Sequence, residues 1–281
     1  MRAVALDTAG RPEVREIDEP AGEGALVRVL ACGLCGSDVE KMQPAFAGAV
    51  LGHEVVGETE DGARVALVHH RGCGECERCL SGHESTCERF PAPTIRPGGF
   101  AERVRADAWI DVPPGLGDAE ATALEPLACV LRGADAVPRG RVLVVGQGFV
   151  GRLFSAALEQ RGDEVFAVDA DPRRSGREPD GPVGAVVVCA PGSSATVLER
   201  VSPGGTILVF ADAGDLPAGE IYRRELTVVG RRSATADAMR AAAALLPQLE
   251  LPAPTVVPLE RFQEGLDLFL RRDAAKVVLV P

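Results

Sequence analysis

Three groups of side chains in this sequence have the types and spacing of chemical sites. The first is Cys73, Cys76, Cys79 and Cys87, spaced C-x2-C-x2-C-x7-C. Four thiolates this close can complete a tetrahedral shell with no position left for substrate, the pattern of a structural zinc. An iron–sulfur cluster and a redox disulfide pair are the alternatives for such a loop. The second group is spread along the chain: Cys35 in GLCGSD, His53 and Glu54 in GHEVVG, and Glu125 in EPLAC. A catalytic zinc needs three ligands and an open position, and Cys, His and Glu are ordinary zinc ligands. Singly, each also reads as a core or surface residue. Glu125 stands among apolar residues, where a carboxylate needs a metal or a hydrogen-bond network.

The third group is Gly146-Gln147-Gly148-Phe149-Val150-Gly151. It follows an apolar run, Val142 to Val145, and precedes a helical pattern with Leu153, Ala156, Ala157 and Leu158 on one face. A second apolar run, 164–168, ends in Asp169. This is the dinucleotide fingerprint in its strand–turn–helix–strand setting. Gly146 permits the turn, Gly148 lets backbone N–H groups approach a pyrophosphate, and Gly151 lets helix and strand pack closely. The helix N-terminus favours the phosphates. Asp169 is placed to accept the adenosine ribose hydroxyls.

These groups need elements to hold them. Short β-strands are expected at 2–6 and 25–31, and β-like chain at 98–114. A helix is expected from Asp118, as N-cap, to about Arg132. Beyond Asp171, the stretch 172–182 is too polar and too rich in Arg, Gly and Pro to hold a helix plus a strand. Strands are expected at 183–190, 206–211 and 225–230, with 202–205 as a turn. Helices are expected at 194–201, 236–246 and 259–271, before a final strand at 276–280.

Composition narrows the class. The 281 residues are 46% hydrophobic, enough for one large or two ordinary domains. A net charge of −11 argues against nucleic acid as a partner, because phosphate backbones need a basic face. No apolar run approaches the ~20 residues that span a bilayer. No signal-peptide pattern opens the chain, so a cytoplasmic protein is expected. His69, His70 and His83 flank the cysteine loop and read as solvated groups or neighbours of ligands.

With these motifs in hand, the sequence resembles the zinc-dependent medium-chain alcohol dehydrogenase family. GLCGSD, GHEVVG, the four-cysteine loop, EPLAC and GQGFVG carry the resemblance. SPGGTILVF at 202–210, ELTVVG at 225–230 and KVVLVP at 276–281 support it. The resemblance implies an α/β protein. A GroES-like, partly β-barrel catalytic domain (1–126, with 251–281 returning to it) would be joined to a Rossmann doubly wound parallel sheet (127–250). That sheet would lack one edge helix–strand unit. It implies two zinc ions per chain, one held by the four cysteines and one catalytic. Cys35 and His53 match catalytic ligands, and Glu54 and Glu125 match glutamates that ligate or exchange there in the polyol, threonine and glucose dehydrogenase branches. Ser37 matches a hydroxyl that begins a proton relay. Asp38 matches a carboxylate orienting the zinc histidine, and Glu40 stands where many members carry a relay histidine.

The implied reaction moves a hydride from a polyol, sugar or secondary alcohol to NAD(P)+. Zinc lowers the hydroxyl pKa so that an alkoxide exists near neutral pH. Asp169 favours NAD, while Arg173 and Arg174 keep NADP open as the alternative. The partners implied are a small-molecule substrate and other copies of the chain, as a homodimer or homotetramer with 225–230 as an exposed pairing edge. The alternative activities are a zinc-independent enone or quinone reductase on the same scaffold and a non-catalytic nucleotide-binding protein.

Overall fold

The computed structural model describes residues 1–89 and 93–281. In chain order the strands are β1 (Arg2–Leu6), β2 (Pro12–Glu16), β3 (Ala25–Gly33), β4 (Glu54–Thr59), β5 (Arg64–Leu67), β6 (Ile95–Arg96), β7 (Arg103–Ala106) and β8 (Trp109–Asp111). There follow β9 (Arg141–Val145), β10 (Glu164–Val168), β11 (Val183–Val188), β12 (Val201–Val209), β13 (Thr227–Gly230), β14 (Thr255–Pro258) and β15 (Val277–Val280).

The chain divides into two compact units. The first comprises 1–128, 234–247 and 252–281, and the second 129–233 and 248–251. The helix Ala236–Leu245 therefore belongs to the first unit.

In the first unit β1 and β2 form an antiparallel pair, and eight strands form a larger sheet. Its main path runs β14-β15-β3-β4-β5-β8, with β7 pairing β3 and β6. The last strand therefore lies beside β3, with Val278 opposite Gly33 and Leu279 opposite Cys32. The alternation of short β-prone runs and Gly/Pro turns explains this meandering, largely antiparallel arrangement. Its core gathers Val4, Leu6, Val27, Leu67 and Val104, with Phe100 and Phe262 meeting edge to face at 5.2 Å.

In the second unit five strands lie in the order β10-β9-β11-β12-β13, all parallel. Their near-continuous Val/Ile/Leu character is what strands covered on both faces require. This is the doubly wound order without its outermost strand, and the order reverses between β9 and β11. Among the described residues, 169–182 holds neither helix nor strand. That segment folds back along the edge: Ala167 N–H donates to the Arg177 carbonyl and Gly176 N–H to the Ala167 carbonyl, each at 3.0 Å. Phe166 on that edge strand is covered by the guanidinium groups of Arg141 and Arg177, 5.0 and 4.4 Å from its ring centroid.

Several element boundaries differ from expectation. β2 was not anticipated, since Pro12 reads as a turn residue; as the first residue of a strand it is tolerated. The expected helix from Asp118 is two helices, Asp118–Ala121 and Leu124–Ala134, and Gly117 rather than Asp118 is the N-cap. The extended strand β12 already begins at Val201, where a turn was expected over 202–205, because Val201 pairs with Val183 before the register shifts. The strand expected at 225–230 starts at Thr227, because Glu225 has a φ of 52°. The last helix is Phe262–Arg271, preceded by a single 3-10 turn at Leu259–Arg261.

One local network of the second unit makes its stability depend on pH. The Asp163 side chain is 1% exposed and accepts from Arg161 Nε at 2.5 Å and Gly140 N–H at 2.8 Å. Burial works to raise its pKa, but Arg161 and the Gly140 N–H outweigh burial and hold the carboxyl below its usual value. A carboxyl depressed in the folded state stabilises above its unfolded pKa, near 3.9. That stabilisation is lost as pH falls through the folded value. Asp163→Asn is expected to destabilise the fold by about 1.5 kcal/mol at pH 7. In urea titrations the gap between variant and wild type should narrow as pH falls below the ordinary carboxyl value, near 3.9. A gap that stays constant as the pH is lowered would refute the assignment.

Candidate active site

The chain turns out of β3 through Leu34 into Cys35, which is the N-cap of the short helix Gly36–Glu40. Asp38, 1% exposed, reaches back from that helix to accept from the Cys35 N–H at 3.1 Å. Its other oxygen meets Gly52 N–H and His53 Nδ1, each at 3.2 Å. This fixes the His53 ring and leaves Nε2 free of that contact. Burial works to raise the Asp38 pKa, but His53 and the two N–H groups prevail and hold it low. His53 starts the run into β4, whose first residue is Glu54. Ligand atoms of Cys35, His53 and Glu54 all lie within 4.8 Å of one another.

The chemistry of this donor set fits a divalent cation. Burial opposes positive charge on His53, yet Asp38, Cys35 and Glu125 together hold its pKa well above the ordinary value. The site is shaped to take positive charge among buried acidic donors. Glu125 is buried on the helix Leu124–Ala134 and acts on His53 through charge, but lies outside the three-donor cluster.

Sequence reasoning missed Lys276. Its ammonium is buried, ion-paired with Glu54 Oε2, and donates to the Leu34 carbonyl at 3.1 Å. The burial cost to its charge is outweighed by Glu54, Cys35 and Asp38, which keep its pKa raised. Strand pairing between β15 and β3 delivers it. Gly33 makes the room, since a Cβ there would lie 1.9 Å from Glu54 Oε2. The available signal was composition: the chain has only two lysines, and this one sits at the start of an apolar final strand.

His69 is a neighbour of a candidate ligand, one of the two readings the sequence allowed it. Its ring centroid is 4.8 Å from that of His53 and 4.1 Å from that of His70. Thr94 Oγ1 approaches the carbonyls of Val68 and His69 at 2.7 and 2.6 Å, holding the strand end that presents it. Ser37 Oγ lies 3.5 Å from Cys35 Sγ. Glu40, at the end of the same helix, is exposed. His83 is exposed beside the cysteine loop.

The loop itself gathers Cys73, Cys76, Cys79 and Cys87, again with all ligand atoms within 4.8 Å. Cys73 and Cys79 sulfurs are 3.9 Å apart, and Cys76 and Cys87 sulfurs 3.8 Å. A Zn–S length of about 2.3 Å puts tetrahedral sulfurs about 3.8 Å apart. Cys76 N–H points at Cys73 Sγ (3.3 Å) and Cys73 N–H at Cys87 Sγ (3.4 Å). The N–H groups of Glu75 and Cys76 draw the Cys73 thiol down to about 6, whereas burial and the neighbouring sulfurs push Cys79 up to about 12. Four sulfurs this crowded ionise together only around a cation, so the set fits zinc.

In the second unit Gly146 to Gly151 joins β9 to the helix Phe149–Gln160, whose N-cap is Gly148. A Cβ on Gly151 would lie 1.8 Å from the Gly146 carbonyl oxygen, so only glycine permits this approach. Phe149 and Val150 open the helix and are half-buried. The Asp169 carboxylate accepts from Gln147 N–H at 2.6 Å and Asp171 N–H at 2.9 Å, tying the turn to the end of β10. Arg173 and Arg174 follow in the covering segment and both face Asp171. The turn lies where the strand order reverses, the usual ligand position in such sheets. Its close glycine packing and inward carboxylate fit a dinucleotide.

Comparison with known proteins agrees with this geometry. Residues 21–114 match the family described as the alcohol dehydrogenase GroES-like domain. D-altritol 5-dehydrogenase of Agrobacterium fabrum is 30% identical, over 97% of this chain and 96% of its own length. L-galactonate-5-dehydrogenase of Escherichia coli is 28% identical, over 79% and 80%. The solved alcohol dehydrogenase TADH of Thermus sp. ATN1 superposes with a TM-score of 0.86, at 28% identity, covering all of both chains. The chain belongs to the zinc-dependent medium-chain alcohol dehydrogenase family, with its GroES-like domain and parallel Rossmann-type sheet. It is an oxidoreductase of the dehydrogenase class.

Proposed function

We propose that this protein oxidises a secondary hydroxyl of a polyol, sugar or related alcohol, with NAD+ as hydride acceptor and two zinc ions per chain. The observation that carries this reading is the Cys35–His53–Glu54 cluster, half-buried at the thiol and buried at the imidazole and carboxylate, backed by Asp38 and Lys276. Polyol and aldonate dehydrogenases among the relatives support the substrate class.

Cys35 and His53 would hold the catalytic zinc, with Glu54 or Glu125 completing the set. Zinc supplies a Lewis acid for the substrate hydroxyl, and the nicotinamide supplies the hydride acceptor. The protein's own residues do the rest. Asp38 positions His53 by holding Nδ1. Lys276 holds the Glu54 carboxylate beside the end of β3 through their ion pair. Ser37 Oγ takes the hydroxyl proton and hands it outward, where Glu40 stands in solvent on the same helix. Cys73, Cys76, Cys79 and Cys87 would hold the structural zinc. Gly146, Gly148 and Gly151 shape the pyrophosphate turn, Phe149 and Val150 supply its N–H groups, and Asp169 meets the adenosine ribose.

No helix among the described residues is long and apolar enough to cross a membrane. We assign the protein to the cytoplasm, as a homodimer or homotetramer built on the exposed edge of β13.

The test combines metal analysis, NADH titration and a panel of alditols, aldonates and simple alcohols. Two zincs per chain, saturable NADH binding and turnover of a polyol or sugar are expected. One zinc, with turnover of an enone instead, would overturn the reading in favour of a reductase. NADH binding with no turnover on any member of the panel would leave a nucleotide-binding protein.

A further inference from the structure

The choice between NAD and NADP is made at the adenosine 2′ position, a hydroxyl in one and a dianionic phosphate in the other. Carboxylates there repel the phosphate, and a nearby arginine accommodates it. The segment after β10 places two of each within six residues: Asp169, Asp171, Arg173 and Arg174. The sequence alone leaves their effects opposed. The structure gives them an order.

Asp171 is tied to Asp169, since its N–H donates to Asp169 Oδ1 at 2.9 Å. Its own carboxylate receives Arg173 through Nε at 3.0 Å and Nη2 at 2.8 Å, and caps the Arg173 N–H at 3.1 Å. Arg174 Nε lies 3.7 Å from the same carboxylate. A turn closed by Arg174 N–H on the Asp171 carbonyl, at 2.9 Å, keeps the four residues together. Arg173 holds the Asp171 carboxyl down to about 2, so it is ionised throughout the working range.

We propose that Asp171 sets the cofactor preference by acting as a built-in counter-ion for Arg173 and Arg174. The two arginines that a 2′-phosphate would recruit already share a carboxylate. Asp169 alone would leave a net positive trio beside the ribose; with Asp171 the set is neutral. Arg174 is only 21% exposed, so its guanidinium is packed in place rather than free to swing outward. Exposed ion pairs contribute little to stability, which makes recognition the better account of the arrangement. The inference rests on the reading of this turn as a dinucleotide site.

The experiment is fluorescence titration of the intact protein with NADH and NADPH, before and after Asp171→Asn. Asparagine keeps an acceptor for the Arg173 N–H and removes the charge; Asp171→Ser serves as a second variant should the first fold poorly. The ratio of NADPH to NADH affinity is expected to rise at least tenfold. Adding Arg174→Ala to the Asp171→Asn background should remove most of that gain. An unchanged ratio, with NADH binding still measurable, overturns the role of Asp171 alone. A gain that survives Arg174→Ala confines the role to Arg173 and overturns the shared arrangement. Wild-type protein that binds neither dinucleotide overturns the site reading, and the NADH titration reports that separately.

Discussion

Cys35→Ser is expected to lower kcat/KM by about a thousandfold or more, a loss of about 4 kcal/mol of transition-state stabilisation. The substitution exchanges a thiolate for a hydroxyl that ionises poorly and binds zinc weakly. His53 stays held by Asp38, and Glu54 stays held by Lys276, so the remaining donors keep their places without completing a ligand set. Fold stability should change little, because Cys35 is half-buried at the N-cap of a five-residue helix, a position that serine suits. Metal content should fall by one ion per chain, while NADH titration remains intact, since Gly146 to Gly151 belongs to the other compact unit. Full activity in the variant would refute the catalytic zinc and point to a metal-independent reductase.

Cys79→Ser is expected to lower Tm by roughly 10 °C. That corresponds to about 3–5 kcal/mol at roughly 2–4 °C per kcal/mol for a unit of this size. The argument is one of missing alternatives. Residues 73–87 contain a four-residue helix and a single 3-10 turn, and the buried residues that pack together there are the cysteines themselves. Leu80, the one large aliphatic side chain of the loop, is 76% exposed. With no apolar core to fall back on, the loop depends on its cation for order. Metal binding energy is then folding energy. The loss should be mimicked by a strong chelator and reversed by zinc in the wild type but not in the variant. Wild-type and variant melting curves that coincide would refute a structural metal.

Much of this was readable beforehand because the signals are local. The four cysteines lie within fifteen residues, and the glycine turn is flanked by its own strands and helix. Short-range geometry then follows from spacing. Lys276 was not readable, because its partner Glu54 is brought near only by pairing of the last strand with β3. The contact between His53 and His69 likewise depends on where two separate strands end. Pro203 and Gly204 suggested a turn, but pairing with a neighbouring strand outweighed local preference and carried β12 back to Val201. At 169–174 the sequence favoured NAD through Asp169 and left NADP open through Arg173 and Arg174, but it could not pair them with Asp171, since which arginine faces which carboxylate is a property of the folded turn.

The short segment that folds over β10 bears on how the protein behaves at high concentration. A parallel sheet cut back to its second strand leaves an apolar edge of the kind that templates aggregation between chains. Here the backbone of Gly176 and Arg177 occupies the edge at Ala167, while Glu164, Arg141 and Arg177 surround Phe166 with ion-paired charge. A few polar residues thus serve as a gatekeeper in place of a missing strand and its helices. The sheet can end early without offering a bare strand edge for pairing, a task that falls to Gly176 and Arg177 and leaves Arg173 and Arg174 to the turn beside Asp171.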